Sequence, residues 1–154
     1  MSSFRSLRRG VSLLLATLPV AVLAGACGPT ISTFSAEAYD RATALKVESL
    51  ALMDSATTPY AEHAASVRRL RTELRKAHEF ARGRPHNEVS ARQWAILIAP
   101  ERDLLGGFLH DWKQQSSFSP SFVREKKEQV AAAFDTIIEL ESGKRDPDEV
   151  RVGR

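Results

Sequence analysis

The residues with the widest chemical repertoire are few in this chain: one cysteine, four histidines and two methionines among 154 residues. Such donors hold a metal or a haem only at particular spacings, because several must reach one ion together. Those spacings are missing. There is no Cys-x-x-Cys-His, no His-Glu-x-x-His and no Glu-x-x-His pair of the kind that builds di-iron sites in helical bundles. His63 and His78 stand fifteen residues apart on one predicted helix, about 22 Å along its axis and too far to share an ion. Met53 and His63 straddle a predicted turn, and His110 reaches a similar height on a later helix. These three are the raw material for the alternative reading, a cofactor- or metal-binding bundle. At about 100° per residue, however, His110 points away from the apolar face of its helix. Acyl-transfer chemistry is no better provided for. No Gly-x-Ser-x-Gly occurs, serines fall mostly at predicted caps and loops, and no two carboxylates share an evident apolar pocket. The expectation is a protein that is not an enzyme and carries no cofactor.

Two other patterns have a direction to them. Arg68, Arg71, Arg75, His78 and Arg82 recur at three-four spacing along one predicted helix and flank its apolar stripe. Such a row suits anionic headgroups, acidic glycans or an acidic partner; equally, Glu73, Glu79 and acids of neighbouring helices can neutralise it. No aromatic residues interleave it, which argues against single-stranded nucleic acid. Gly106 and Gly107 lie side by side within a helical pattern, where each costs about 1 kcal/mol relative to alanine. The helical phase places them on the polar side with Asp103, His110 and Gln114. They mark either a notch where another chain approaches closely or a bend in the helix.

The elements that must carry these residues are all helical. Ser35 caps the first helix, with Glu37 in its first turn; Ala38, Ala42, Leu45, Ser49, Leu52 and Ala56 form its apolar stripe. Thr57-Thr58-Pro59 interrupts the pattern, with Thr58 as the cap and Pro59 at the first position of helix two. Tyr60, His63, Val67, Leu70, Leu74, Ala77 and Ala81 give that helix its three-four repeat, and Gly83-Arg84-Pro85 stops it. Ser90 and Gln93 read as a capping box for the third helix, with Val89 and Trp94 at the staple positions. Residues 94–99 are apolar on every side and should be buried. Pro100 then kinks or breaks the helix, which resumes with Leu104, Leu105, Phe108, Leu109 and Trp112 on one face. After a loop over residues 114–119, Ser119, Pro120 and a Phe118–Val123 staple open the fourth helix. Val130, Phe134, Ile137 and Ile138 form its apolar side, and Gly143 ends it. No stretch alternates long enough for a sheet. The fold expected is all-α, an up-down-up-down four-helix bundle with its third helix kinked or broken at Pro100.

The N-terminus has a different composition. Arg5, Arg8 and Arg9 precede an apolar run over residues 11–23, the n-region and h-region of a secretory signal peptide. The run contains Pro19 and is short against the ~20 residues of a spanning helix. It leads into Leu23-Ala24-Gly25-Ala26-Cys27, where the only cysteine follows small residues. This stretch resembles the lipobox of bacterial lipoproteins. The resemblance covers residues 1–27 and implies that Cys27 becomes the lipid-modified first residue of the mature protein. Here Leu23 lies four residues before the cysteine and Ala24 occupies the position where that family usually has leucine. Ala24-Gly25-Ala26 also reads as an ordinary signal-peptidase site.

The chain therefore divides into a signal peptide (1–26), a lipidated cysteine and short tether (27–34), a helical domain (35–143) and a polar tail (144–154) expected to be disordered. The formal net charge of +3 belongs to the leader. Of 22 Lys+Arg, the three in the leader are Arg5, Arg8 and Arg9, leaving 19 against 19 Asp+Glu. A neutral mature domain gives no electrostatic case for nucleic-acid binding. One cysteine allows no disulfide within the chain, so packing alone must stabilise an exported domain. The composite expectation is an exported, lipid-anchored helical module that binds or scaffolds an envelope protein partner. Gly28 stands where, by the same resemblance, aspartate is associated with inner-membrane retention. Its presence favours the periplasmic face of the outer membrane in an organism with two membranes.

Overall fold

The computed structural model describes residues 34–145 and 149–150. The leader, Cys27, residues 28–33 of the tether and most of the tail lie outside the described residues. Among the described residues the chain is helical throughout, with five α-helices and no strand: α1 Ala36–Asp54, α2 Tyr60–Gly83, α3 Glu88–Ile98, α4 Leu105–Gln115 and α5 Pro120–Glu141.

Local chemistry sets several of these ends as the sequence predicts. The Ala38 N–H donates to Ser35 Oγ at 3.2 Å at the start of α1, and the Phe122 N–H donates to Ser119 Oγ at 3.3 Å behind Pro120 at the start of α5. Past the end of α5, Gly143 adopts φ 69°. Its N–H donates to the Leu140 carbonyl and that of Lys144 to the Glu139 carbonyl, the paired bonds that close a helix through a left-handed residue. Lys144 and Arg145 consequently fold back onto the helix end. Arg145 also pairs with Glu139.

Four expectations are overturned. In α1 it is Met53 that is fully buried, while Leu52 is half-buried; a step of four from Ser49 follows the helix period, and the 3-10 turn Ser55–Thr57 then brings Ala56 into the core. Thr58 does not cap α2. Pro59 is its N-cap, and the Thr58 hydroxyl instead bonds the Ser55 carbonyl and His63 Nε2, each at 2.7 Å. The first N–H of α2, from Tyr60, donates to the Ser116 carbonyl at 2.8 Å, a cap supplied from after α4. The Ser90–Gln93 capping box does not form either. α3 starts three residues earlier than a Ser90 cap implies, at Glu88 behind Asn87, and the buried Ser90 hydroxyl donates across to Glu141 Oε1 at 2.5 Å.

The fourth concerns the run ahead of Pro100, which is not buried throughout. Pro100 itself breaks the third segment outright, one of the two outcomes expected there, and separates α3 from α4. Ala99, ahead of the proline, is extended (φ −68°, ψ 126°), as the ring of a following proline demands. Residues 99–104 form a turn, and Lys126 of α5 secures it by donating to Asp103 Oδ1 at 2.5 Å. Within the 94–99 run only Trp94 and Leu97 are fully buried.

α1 packs against α2 and α5, α3 lies between α2 and α5, and α4 rests on α3 and α2. The shared core includes Val67, Leu70, Leu74, Leu97, Leu109, Phe134 and Ile137. Trp94 meets Phe134 edge-on at 5.8 Å, and Tyr60 meets Trp112 likewise at 5.5 Å. All buried apolar residues described fall between Ala38 and Leu140, so the segment from Phe34 onward encloses its own core.

At the opposite end of α2 from Tyr60, a buried polar joint holds three elements together. Glu141, the last residue of α5, has a side chain 1% exposed. It pairs with Arg84 beyond the end of α2 and accepts from Asn87 Nδ2 at 3.2 Å and Ser90 Oγ at 2.5 Å. Asn87 Nδ2 also reaches the Ala81 carbonyl at 3.1 Å, one of the orphan acceptors at the end of α2.

Candidate functional site

A groove of about 610 Å³ runs between α2 and the segment linking α3 to α4. Arg68, Arg71 and Arg75 form one wall with Thr72; Ile98, Ala99 and Pro100 form the other; Leu74, Gly106 and Leu109 close the bottom. Its size falls within the ~300–1,000 Å³ usual for small-molecule sites. Two patterns that the sequence offered separately, the arginine row and the glycine pair, therefore meet in one place.

The two walls arise from different causes. On α2, positions 68, 71 and 75 sit one helical step outside the buried stripe of Val67, Leu70 and Leu74, so their stems border the core while their guanidinium groups reach solvent. The facing wall exists because Pro100 ends α3 and the chain doubles back into α4. That reversal is tight, and the glycines permit it. A Cβ on Gly106 would lie inside van der Waals contact with the Ile98 carbonyl and 2.5 Å from the Ala99 carbonyl oxygen, and one on Gly107 would meet the Arg102 carbonyl. Both glycines are buried. The expectation that they lie on the polar side, away from the core stripe, is thus corrected: the close approach at this notch is made by the chain's own backbone.

The electrostatics of the row divide it. Glu79 accepts two bonds from Arg82, at 3.0 and 3.1 Å, and Glu73 pairs with Lys76 at 2.7 Å. Those are the two acids on α2 expected to neutralise the row. Arg82 lies off the groove. Arg68, Arg71 and Arg75 form no ion pair with any described carboxylate; the one side-chain bond among them runs from Arg75 Nη2 to Thr72 Oγ1 at 3.4 Å. No acidic residue lines the groove. Three positive charges therefore face an uncharged wall. His78, further along the row, has its imidazole pKa lowered, first by burial and then by Arg82, against the opposing pull of Glu79.

A second groove of about 600 Å³ lies between α1 and α5; of its two cations, Arg124 and Lys127, Lys127 donates to Asp54 Oδ1 at 2.5 Å, and the acids Asp54 and Glu128 are part of its wall. It carries its own counter-charge.

The residues singled out as metal or cofactor donors do not come together. Met53 is buried in the core. His63 bonds the Thr58 hydroxyl and lies over Trp112 with ring centres 5.5 Å apart, while Trp112 Nε1 donates to the Thr58 carbonyl at 3.1 Å. His110 is exposed. Among the described residues no group of three or more His, Cys, Asp or Glu side chains is placed to hold a metal ion, and no helix is long and apolar enough to cross a membrane.

The apolar wall was not legible beforehand. Ile98 and Ala99 read as part of a buried run and Pro100 as its breaker, and only the folded turn sets all three opposite α2. No protein-family model matches the chain, and no curated protein or solved structure matches it significantly.

Proposed function

We propose that this chain is an exported lipoprotein, tethered to the cell envelope through Cys27, whose helices form a bundle that binds rather than catalyses. In this reading α1, α2, α3 and α5 are the four staves of an up-and-down bundle, and α4 is the displaced remainder of the third helix. The envelope partner is engaged through the groove under Arg68, Arg71 and Arg75.

The observation that carries the binding reading is the absence of counter-charge. Surface arginines ordinarily sit near carboxylates of the same chain, yet the two α2 acids nearest the row in sequence, Glu73 and Glu79, are taken by Lys76 and Arg82. Arginine wins over lysine where planar oxyanions are recognised, because its fork presents paired N–H donors. Three such forks along one wall of an acid-free groove suit an anionic partner.

The tether reading rests on the leader, with its three arginines, apolar run and single cysteine. The short linker to Phe34 would keep the groove close to the membrane face on which the lipid is seated, and the periplasmic face of the outer membrane is the proposed location. Intact mass of the protein isolated from the membrane fraction tests it. The expected species begins at Cys27 and carries acyl chains, and Cys27→Ser should leave the membrane fraction entirely. A mature chain with an unmodified Cys27, or one retaining residues 1–26, overturns it.

A further inference from the structure

The groove has two unlike walls, and a ligand that uses both must have two unlike parts. The α2 wall offers guanidinium groups and the methylene stems that carry them. The facing wall, Ile98, Ala99 and Pro100, has no ionisable side chain, and Leu74 and Leu109 beneath it are 2% and 1% exposed. An inorganic anion would use the first wall alone, and a neutral hydrocarbon the second.

We propose that the groove between α2 and the α3–α4 turn binds a phosphorylated single-chain lipid, its phosphate held by Arg68, Arg71 and Arg75 and its hydrocarbon chain laid along Ile98, Ala99 and Pro100. This deepens the binding reading above by naming the ligand class, and it does not depend on lipidation of Cys27. Neighbouring positions at three-four spacing on a helix are about 5–6 Å apart at Cβ. At that spacing the flexible side chains of two adjacent arginines can turn their guanidinium groups onto one phosphate, with the third next in the row. A phosphate monoester, near −1.5 to −2 at neutral pH, matches that density of charge better than a single carboxylate. The groove also favours a single chain over a bilayer surface. Its apolar wall faces inward across from α2, where a flat array of headgroups touches the arginines without reaching Ile98.

The fixed shape of the apolar wall supports the same conclusion. Gly106 packs on the Ile98 and Ala99 carbonyls and Lys126 ties down Asp103, so the wall is formed before any ligand arrives. Preformed sites lose less on binding than sites that must be ordered.

The test uses residues 34–154, a segment that encloses its own core, titrated by calorimetry and by amide chemical shifts. The probes are dodecyl phosphate below its micelle concentration, inorganic phosphate, and a neutral dodecyl glycoside also kept monomeric. Dodecyl phosphate is expected to saturate one site per chain and to shift the amides of Ala99, Gly106 and Leu109. Each of the other two probes should bind at least about tenfold more weakly, since each lacks one half of the contact. Changing Arg68, Arg71 and Arg75 together to glutamine should weaken dodecyl phosphate by about tenfold or more, whereas Arg82→Gln should leave it within about twofold. Ile98→Glu, which places a negative charge in the apolar wall, should abolish binding while leaving the α2 wall intact; melting curves verify that each variant is folded.

Equal binding of the neutral glycoside would reduce the site to a hydrophobic patch, and equal binding of inorganic phosphate would reduce it to an adventitious anion site. Either result, or affinity unchanged in the glutamine variant, overturns the proposal. Failure of this titration with a lipidated Cys27 would remove the ligand class and leave the tether. Success with an unmodified Cys27 would do the reverse.

Discussion

Substituting Glu141 should do more damage than substituting any exposed charged residue, and the size of the loss can be worked out. Its carboxylate is 1% exposed and receives Arg84, Asn87 and Ser90, joining the ends of α2 and α5 to the start of α3. Breaking a buried pair by deleting one partner costs about 3–5 kcal/mol, because the remaining groups were desolvated for a partner that is gone. Arg84 is 14% exposed and regains some water, which places Glu141→Ala near the lower figure, about 3 kcal/mol. Glu141→Gln keeps the shape and an acceptor for Ser90 and loses the charge, so about 1–2 kcal/mol is expected. By contrast Arg82→Ala, breaking a pair exposed by 59% and 65%, should cost no more than about 0.5 kcal/mol. Urea unfolding of residues 34–154, followed by far-UV circular dichroism at neutral pH, measures all three. For a domain of this size about 3 kcal/mol corresponds to a fall in melting temperature of roughly 12 °C. The double variant Arg84→Met with Glu141→Leu should recover only part of the loss, since Ser90 and Asn87 stay buried without their carboxylate acceptor. A cost for Glu141→Ala below about 1 kcal/mol would mean that the carboxylate is hydrated like a surface group, and the joint would not be what fixes α3 against α5.

The tight reversal into α4 predicts opposite signs at two glycines: Gly106→Ala should lose about 1–3 kcal/mol by forcing a methyl into backbone carbonyls, whereas Gly83→Ala, whose Cβ meets nothing, should gain about 0.4–1 kcal/mol. Thermal melts of the two variants check this, and a neutral Gly106→Ala would show that the turn has room to move. Ser49 is completely buried with no partner for its hydroxyl, so Ser49→Ala should be neutral or stabilising by up to about 1 kcal/mol in urea, and a clear loss would reveal a hydrogen bond or a bound water there. The lowered pKa of His78 means that the unfolded chain takes up its proton more readily than the folded one. The stability contributed by the neutral imidazole is therefore complete above the ordinary value near 6.5 and declines as pH falls through it toward the folded value. Melting temperatures of wild type and His78→Gln across mildly acidic pH should diverge in slope, with the variant flatter; identical slopes would count against burial of the ring.

What the sequence determined by itself is everything that depends on neighbours in the chain. The three-four repeats of α2 and α5, the caps at Ser35 and Ser119, the stop at Gly143 and the disruption at Pro100 are contests between a residue and its own backbone within one or two turns. They read correctly because no distant partner was needed to settle them. The misreadings share the opposite cause. Ser90 with Gln93 has the chemistry of a capping box, but Glu141, 51 residues away, offers the Ser90 hydroxyl a buried carboxylate and wins it. Thr58 is a sound cap on local grounds, yet the Tyr60 N–H is taken by Ser116, brought there by the packing of α4. Helical phase within residues 103–114 put Gly106 and Gly107 on the polar side, and only the folded turn brings the Ile98, Ala99 and Arg102 carbonyls against that side. The candidate site follows the same division. The arginines of one wall are spaced along a single helix and can be named from it. Their lack of counter-charge and the wall they face were decided only when folding assigned Glu73 and Glu79 to other cations and turned Ile98 and Pro100 toward α2. Hydrogen bonds and ion pairs between distant segments are choices among competing partners, and only the packed tertiary structure makes those choices.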